Sequence, residues 1–263
     1  MIDNCAILIL SCDKNKGLLN IFYDFFKKNW ADCPFKVYLG IESNEMHFSG
    51  FNIMLSEKET WGARFQDYLN KIQEEYIFLI LDDFIVEEPV DTEKICNYLK
   101  CMENDTTIAT ISIAEIYDDQ NYECGYEELN LVRRIPKADY LLNMQVGLWR
   151  KSILQDLIKA KESPWQTELF GSIRARKLKD NQFLCLKSDK VSPYKYGRGW
   201  LMVRGCWNGN EIKRLKLENY LDDIFDGKDI MFSPISQIKL LPRIMRRIQI
   251  TYRKFLSNVN IYV

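Results

Sequence analysis

The chain has 263 residues, 47% of them hydrophobic and 28% charged, with a formal net charge of -1. This size and balance predict one globular domain, or one with an appendage, and exclude a globally basic nucleic-acid binder. No apolar stretch is long enough to span a bilayer, and Met1-Ile2-Asp3-Asn4 runs directly into a short apolar segment, which predicts no secretory leader. Eight cysteines occur without a CxxC pair and His47 is the only histidine, so neither a disulfide framework nor a zinc site is expected. Reduced thiols predict a cytoplasmic protein.

Cys5 to Ser11 is an apolar run and reads as a first buried strand, followed by a polar turn from Ser11 to Gly17. Leu18, Leu19, Phe22, Phe25, Phe26 and Trp30 then keep helical spacing. Phe35–Gly40 and Phe51–Leu55 read as strands. Thr60 caps a predicted helix from Trp61 to about Glu75, with Phe65, Tyr68, Leu69 and Ile72 on its inner face. Tyr76–Leu81 is an unbroken apolar run that stops at two adjacent carboxylates, Asp82 and Asp83. Alternation of strand and helix predicts a largely parallel α/β sheet flanked by helices.

Val90–Met102 has helical periodicity and Thr106–Ile113 is β-branched enough for a strand. Tyr117–Glu128 reads as a polar loop, and Leu129–Val132 and Met144–Trp149 as strands. A helix is expected from Ser152 to Lys161, a break at Ser163-Pro164-Trp165, a second helix from Gln166 to Lys177, and a strand at Phe183–Leu186. Glycines and aromatics then cluster around Tyr194, Tyr196, Trp200 and Trp207.

Asp82 and Asp83 fall at the carboxyl end of their strand, where open α/β sheets place ligands. Adjacent carboxylates repel, so a divalent cation with oxygen ligands is one expected neighbour. An Asp-rich turn capping the next element is the other reading.

Four segments together resemble the nucleotide-sugar glycosyltransferases of the GT-A fold, and are similar to small bacterial enzymes of capsule and lipopolysaccharide synthesis. Ile7–Asp13 resembles the opening strand and base-binding turn. Trp61-Gly62-Ala63-Arg64 resembles the segment whose Arg lies by the nucleotide. Leu81-Asp82-Asp83 resembles the DxD-type metal motif, and Pro164–Glu168 with Arg174 resembles the late acidic motif that supplies the base in inverting members. The resemblance implies a GT-A, Rossmann-like, mostly parallel sheet and a metal-dependent hexosyltransferase that is inverting. It implies Glu168 as the base, Asp83 as ligand of Mn2+ or Mg2+, and Ser11, Asp13, Trp61, Arg64, Asp82 and Arg198 around the nucleotide sugar. Thr167 and Glu168 stand where the family has Glu and then Asp. No histidine follows His47 to complete a metal site.

The physics of a departing nucleoside diphosphate asks for the same groups: a cation at Asp83, and a guanidinium such as Arg64 on the diphosphate or on the Asp pair. Trp149-Arg150 is expected to end a strand near an acceptor cleft, with Trp149 as simple core the alternative. Each residue also has a plain alternative: a turn-forming Asp13, a surface Arg64, an ordinary first-turn Glu168. Other readings of the chain are a non-catalytic carbohydrate- or partner-binding α/β module and a sugar nucleotidylyltransferase. The latter lacks its Arg-containing glycine loop after the first strand.

Residues 1–232 form the expected catalytic domain and residues 233–263 a separate tail. From Ser233 onward there is no acidic residue, while Lys239, Arg243, Arg246, Arg247, Arg253 and Lys254 interleave with an apolar stripe. This pattern predicts a basic amphipathic helix that lies on an anionic membrane through Lys239–Lys254, suited to a glycan or lipid-linked glycan acceptor at the inner face.

Overall fold

The computed structural model describes residues 2–43, 46–113, 121–122, 125–188, 190–197, 201–203, 205–224 and 227–232. Arg198, Trp200, Arg204 and the tail 233–263 lie outside the described residues, and so do the expectations placed on them.

The apolar runs become adjacent strands. β1 (Cys5–Leu10), β2 (Lys36–Ile41), β3 (Phe51–Leu55) and β4 (Tyr76–Leu81) are mutually parallel in the order β3-β2-β1-β4. Alternate side chains take opposite faces, as the two-residue period of a strand requires. Cys5, Ile7 and Ile9 of β1 join one core with Tyr76, Phe78 and Ile80 of β4, while Ala6, Leu8, Leu10, Ile77 and Leu79 join the other. The first core is covered by α1 (Lys16–Asn29) through Leu18, Phe22 and Phe26, and by α3 (Thr92–Asn104) through Ile95 and Leu99. The second is covered by α2 (Trp61–Lys71) through Phe65 and Leu69, and by α4 (Lys151–Leu157) through Leu154 and Leu157. A sheet buried between helices on both faces is the α/β architecture that the unbroken apolar runs predict.

The second half of the sheet departs from a largely parallel arrangement. It adds β5 (Ile108–Ser112), β6 (Asn121–Tyr122), β7 (Leu131–Arg134), β8 (Gly147–Arg150) and β9 (Gln182–Leu186). Among the described residues the full order is β3-β2-β1-β4-β8-β5-β9-β7-β6. β5 and β9 are parallel, but β8 runs antiparallel to both β4 and β5, and β7 is antiparallel to β9 and β6. An apolar run reports burial and carries no sign of direction. The registers Tyr76↔Arg150 and Leu79↔Gly147 put the start of β8 beside the carboxyl end of β4.

That reversal corrects one expectation. Trp149 and Arg150 lie at the far end of the sheet, away from the Asp pair. Trp149 is core, and Arg150 is buried with its guanidinium paired to Glu75 at 2.9 Å and donating to the Tyr76 hydroxyl at 3.0 Å and the Met102 carbonyl at 2.8 Å.

Three boundaries also differ. α2 stops at Lys71, because Ile72 turns extended and buried, leaving Glu75 to accept from Lys151 N. Pro164 and Trp165 open a helix instead of breaking one: α5 (Pro164–Ala175) starts with a capping box in which Ser163 and Gln166 bond each other's backbone N–H, with Pro at the first position. Asn121 and Tyr122, expected in a loop, pair with Arg134 and Arg133 at the sheet edge.

The glycine- and aromatic-rich segment carries order of its own. β10 (Met202–Val203), β11 (Cys206–Asn208) and β12 (Ile230–Met231) form a small sheet with α6 (Gly209–Leu215) beside it. α7 (Leu221–Ile224) packs on α1, where Asn20 donates to Asp223 at 2.6 Å.

Candidate active site

The parallel strands β1, β2 and β4 bring their carboxyl ends to one edge of the sheet, and most expected site residues gather there. Asp82 follows β4 directly and is 7% exposed. Its Oδ2 accepts from Ser11 Oγ at 2.5 Å and from Asn15 Nδ2 at 2.9 Å, while its backbone N–H donates to Leu10 O at 3.2 Å. Asp82 therefore ties the end of β4 to the turn after β1. Burial still raises its carboxyl above the ordinary range, against the pull of those two donors. Asn15 was not singled out in the sequence. Its only sign there is an amide in a polar turn.

Asp83 is partly buried, and its Oδ1 is shut from solvent with no hydrogen-bond partner. Burial, and then the charge of Asp82, push its carboxyl up to about 7. A buried acceptor left open costs free energy unless something fills it. Among the described residues no three His, Cys, Asp or Glu side chains converge to hold a metal. The donor set here is therefore a carboxylate pair, with Asp82 held behind Asp83. It fits a hard cation that brings oxygen ligands of its own, such as phosphate and water, rather than a cage made by protein alone.

A second cluster lies at the ends of β1 and β2. Asp13 Oδ1 accepts from the backbone N–H groups of Glu42 at 3.2 Å and Ser43 at 3.1 Å, and Asp13 N donates to Glu42 Oε2 at 2.6 Å. Arg64 pairs with Glu42 at 2.9 Å and donates to the Lys58 and Glu59 carbonyls, both at 3.0 Å. Arg64 thus meets Glu42, a partner the sequence reading missed, and the idea that it fixes the Asp pair is corrected. Glu42 had the same signal as Asp82: a carboxylate just past the carboxyl end of an apolar strand.

Trp61 opens α2 half-buried, edge-on to Phe65 with ring centroids 5.3 Å apart. Gly62 gives the next segment its closeness. A Cβ there would collide with the Lys159 carbonyl and come within 3.0 Å of those of Ala160 and Glu162. Thr60 Oγ donates to Ala160 O at 2.5 Å, and Arg174 grips Glu162 with both terminal nitrogens, at 2.7 and 2.6 Å. The stretch 158–162 therefore joins the Trp61–Arg64 segment to α5. Arg174 serves that join and lies off the face that carries Glu168.

Glu168 sits in the second turn of α5, and its Oε1 accepts from Met144 N at 2.8 Å. Burial raises its carboxyl, and the Met144 N–H lowers it less. Trp165 is 70% exposed, so its ring does not supply the burial that raises the Glu168 carboxyl. Met144 belongs to the connection into β8, which the antiparallel register brings to the edge holding Asp82 and Asp83. Tyr196 closes the gap between those loops: its ring lies on Phe84 at 4.7 Å and its hydroxyl donates to Gln145 at 2.7 Å. Ser11, Asp82 and Asp83 are thus brought together, with Asp13 and Arg64 on one flank and Glu168 on the other. Arg198 lies outside the described residues.

No protein-family model matches the sequence, and no curated protein does. Among solved structures, the chain is similar to S. aureus TarS 1-349, with a TM-score of 0.47 and 10% identity over 72% of this chain and 59% of that one. It is similar to the mannosyltransferase PcManGT from Pyrobaculum calidifontis, in complex with GDP-Man and Mn2+, with a TM-score of 0.45 and 9% identity over 72% and 55%. A CMP:2-keto-3-deoxy-manno-octonic acid synthetase complexed with CTP gives a TM-score of 0.42 and 13% identity over 70% and 88%. The chain thus matches under two thirds of the length of the first two. All three scores fall below 0.5, and the activities belong to those proteins.

Proposed function

We propose that this chain is a metal-dependent glycosyltransferase that moves a hexose from a nucleotide-sugar donor to a hydroxyl of a glycan, with inversion. The observation that carries the reading is Asp83 Oδ1, buried without a partner beside the fixed Asp82 at the carboxyl end of β4. Asp83, backed by Asp82, would hold Mn2+ or Mg2+. When bound, such an ion neutralises charge on a departing diphosphate. Asp13, Glu42, Trp61 and Arg64 would line the side for base and ribose, and Arg198, outside the described residues, would be a further donor contact.

Glu168 would act as general base. The acceptor oxygen bonds to the anomeric carbon while that carbon's bond to phosphate oxygen breaks. The electron pair leaves on the nucleoside diphosphate, and the acceptor proton passes to the Glu168 oxygen that Met144 does not hold. Burial suits that task by making the carboxylate a stronger base than a solvated one. A lipid-linked acceptor of surface polysaccharide synthesis, reached by the basic tail from the cytoplasmic side, completes the proposal.

The test is thermal shift against UDP-, GDP-, CMP- and dTDP-sugars, with and without Mn2+. A ligand at about a hundred times its Kd stabilises the native state by about 2.7 kcal/mol. One donor class should stabilise the protein only with the metal, and Asp83→Ala should abolish the effect. No stabilisation by any donor would remove the reading. Pyrophosphate release from a nucleoside triphosphate and a sugar would turn it toward a nucleotidylyltransferase.

A further inference from the structure

We propose that the indole of Trp165 is the platform on which the acceptor sugar lies, one helical turn from Glu168. The proposal rests on the glycosyltransferase reading above and names the acceptor side of that same site.

Trp165 is 70% exposed, whereas Trp30, Trp149 and Trp207 are each at most 1% exposed. A tryptophan carries about 250 Å² of surface, and leaving most of it in water is unfavourable unless something covers it. The exposure is built in. Pro164 and the Ser163–Gln166 capping box fix the first turn of α5, so the indole stands on a rigid base. Residues three apart on a helix share a face, with Cβ atoms about 5–6 Å apart. Trp165 and Glu168 have that spacing, and Met144 N holds the Glu168 carboxylate in place at 2.8 Å.

A flat apolar ring three residues from a half-buried carboxylate on the same helix matches a pyranose. One face of the sugar presents C–H groups to the ring, and its hydroxyl rim reaches the carboxylate. A protein partner would need about 800 Å² on this side, several times what one indole offers. The residues around it in the chain, Lys161, Glu162, Ser163 and Gln166, are polar. That setting suits a small polar ligand with one apolar face.

The experiment compares wild type, Trp165→Ala and Trp165→Phe, using the donor that stabilises the wild type with Mn2+. Methyl glycosides of glucose, galactose, mannose and N-acetylglucosamine serve as acceptor probes. Nucleoside diphosphate release is followed against glycoside concentration. At least one glycoside should accelerate release by the wild type. Trp165→Ala should raise its half-saturating concentration about tenfold or more, with kcat changed by less than about threefold, and Trp165→Phe should restore most of the affinity. Donor-induced stabilisation should be equal in all three, which reports an intact fold and donor site. Unchanged half-saturation in Trp165→Ala, or a loss confined to kcat, would overturn the platform. So would a wild type that binds donor but responds to no glycoside, or one that self-associates only while Trp165 is present. A wild type that binds no donor would instead sink the glycosyltransferase reading beneath it, and the platform with it.

Discussion

Asp83→Asn should make the metal-free protein more stable at neutral pH while disabling it. The Asp83 carboxyl is raised from 3.8 to about 7, by burial first and by the Asp82 charge second. A carboxyl whose native value is raised binds an extra proton in the folded state. It therefore contributes stability that is whole below the unfolded value and is lost as pH rises through the native one. Above pH 7 the ionised native state is penalised by up to roughly 4 kcal/mol. The amide removes that charge but brings an N–H2 group that needs acceptors, an offset of about 1–3 kcal/mol. A net gain of about 1–3 kcal/mol is expected, and each 1 kcal/mol raises Tm by about 2–4 °C in a domain of this size. Thermal melts in EDTA at a series of pH values from about 4 to 8 read the effect, and the gap between variant and wild type should shrink as pH falls. With Mn2+ and donor present the order should reverse, because only the wild type gains from the ligand. A variant no more stable than wild type at about pH 8, or an advantage that stays constant with pH, would refute the reasoning.

Three other outcomes are expected. Glu168→Gln should keep donor binding and lose about a hundredfold or more in transfer rate, and wild-type transfer should rise with pH through a value above the ordinary carboxylate range; near-normal turnover in a product assay would remove Glu168 as base. Gly62→Ala should destabilise by about 1–3 kcal/mol in urea unfolding, since its Cβ meets the backbone carbonyls of 159–162, which have no flexible end to yield; a neutral effect would show that this stretch is free to move. Full-length protein should co-sediment with anionic liposomes at low salt and a chain ending at Phe232 should not, because about 1 kcal/mol per cation accrues at such a surface; equal behaviour of the two would end the membrane proposal.

The sequence showed most where burial is uniform. The runs of β1 and β4 end within a residue of the observed strands, because a strand covered on both faces has no polar interruption. It was mute on direction, so the antiparallel β8 and the resulting displacement of Trp149 and Arg150 could not be read. Among site residues, Ser11, Asp82 and Asp83 were legible as polar groups at strand ends. Glu42 and Asn15 act through contacts 22 to 67 positions away along the chain, to Arg64 and Asp82, and local pattern holds no trace of such pairings. The exposure of Trp165 was hidden because Ser163-Pro164-Trp165 reads as a break, whereas α5 begins at Pro164.

Arg150 sits far from the carboxylates, at the other end of the strand that leads in from the Glu168 flank of the site. The β4–β8 ladder is short, running from Tyr76↔Arg150 to Leu79↔Gly147, and its register is pinned by Leu148 in one core and Trp149 in the other. A slip by one residue would move the chain about 3.3 Å along the strand and turn Leu148 and Trp149 to the wrong faces. The guanidinium prevents this by engaging Glu75, Tyr76 and Met102 at once at the closed end of the ladder. Met144 lies six positions before Arg150 on the same stretch of chain, and its N–H holds Glu168. Arg150 thus anchors the end of β8 that lies opposite the end leading to Met144 and the candidate base. Substitutions there should read out as misalignment of catalysis before they read out as unfolding.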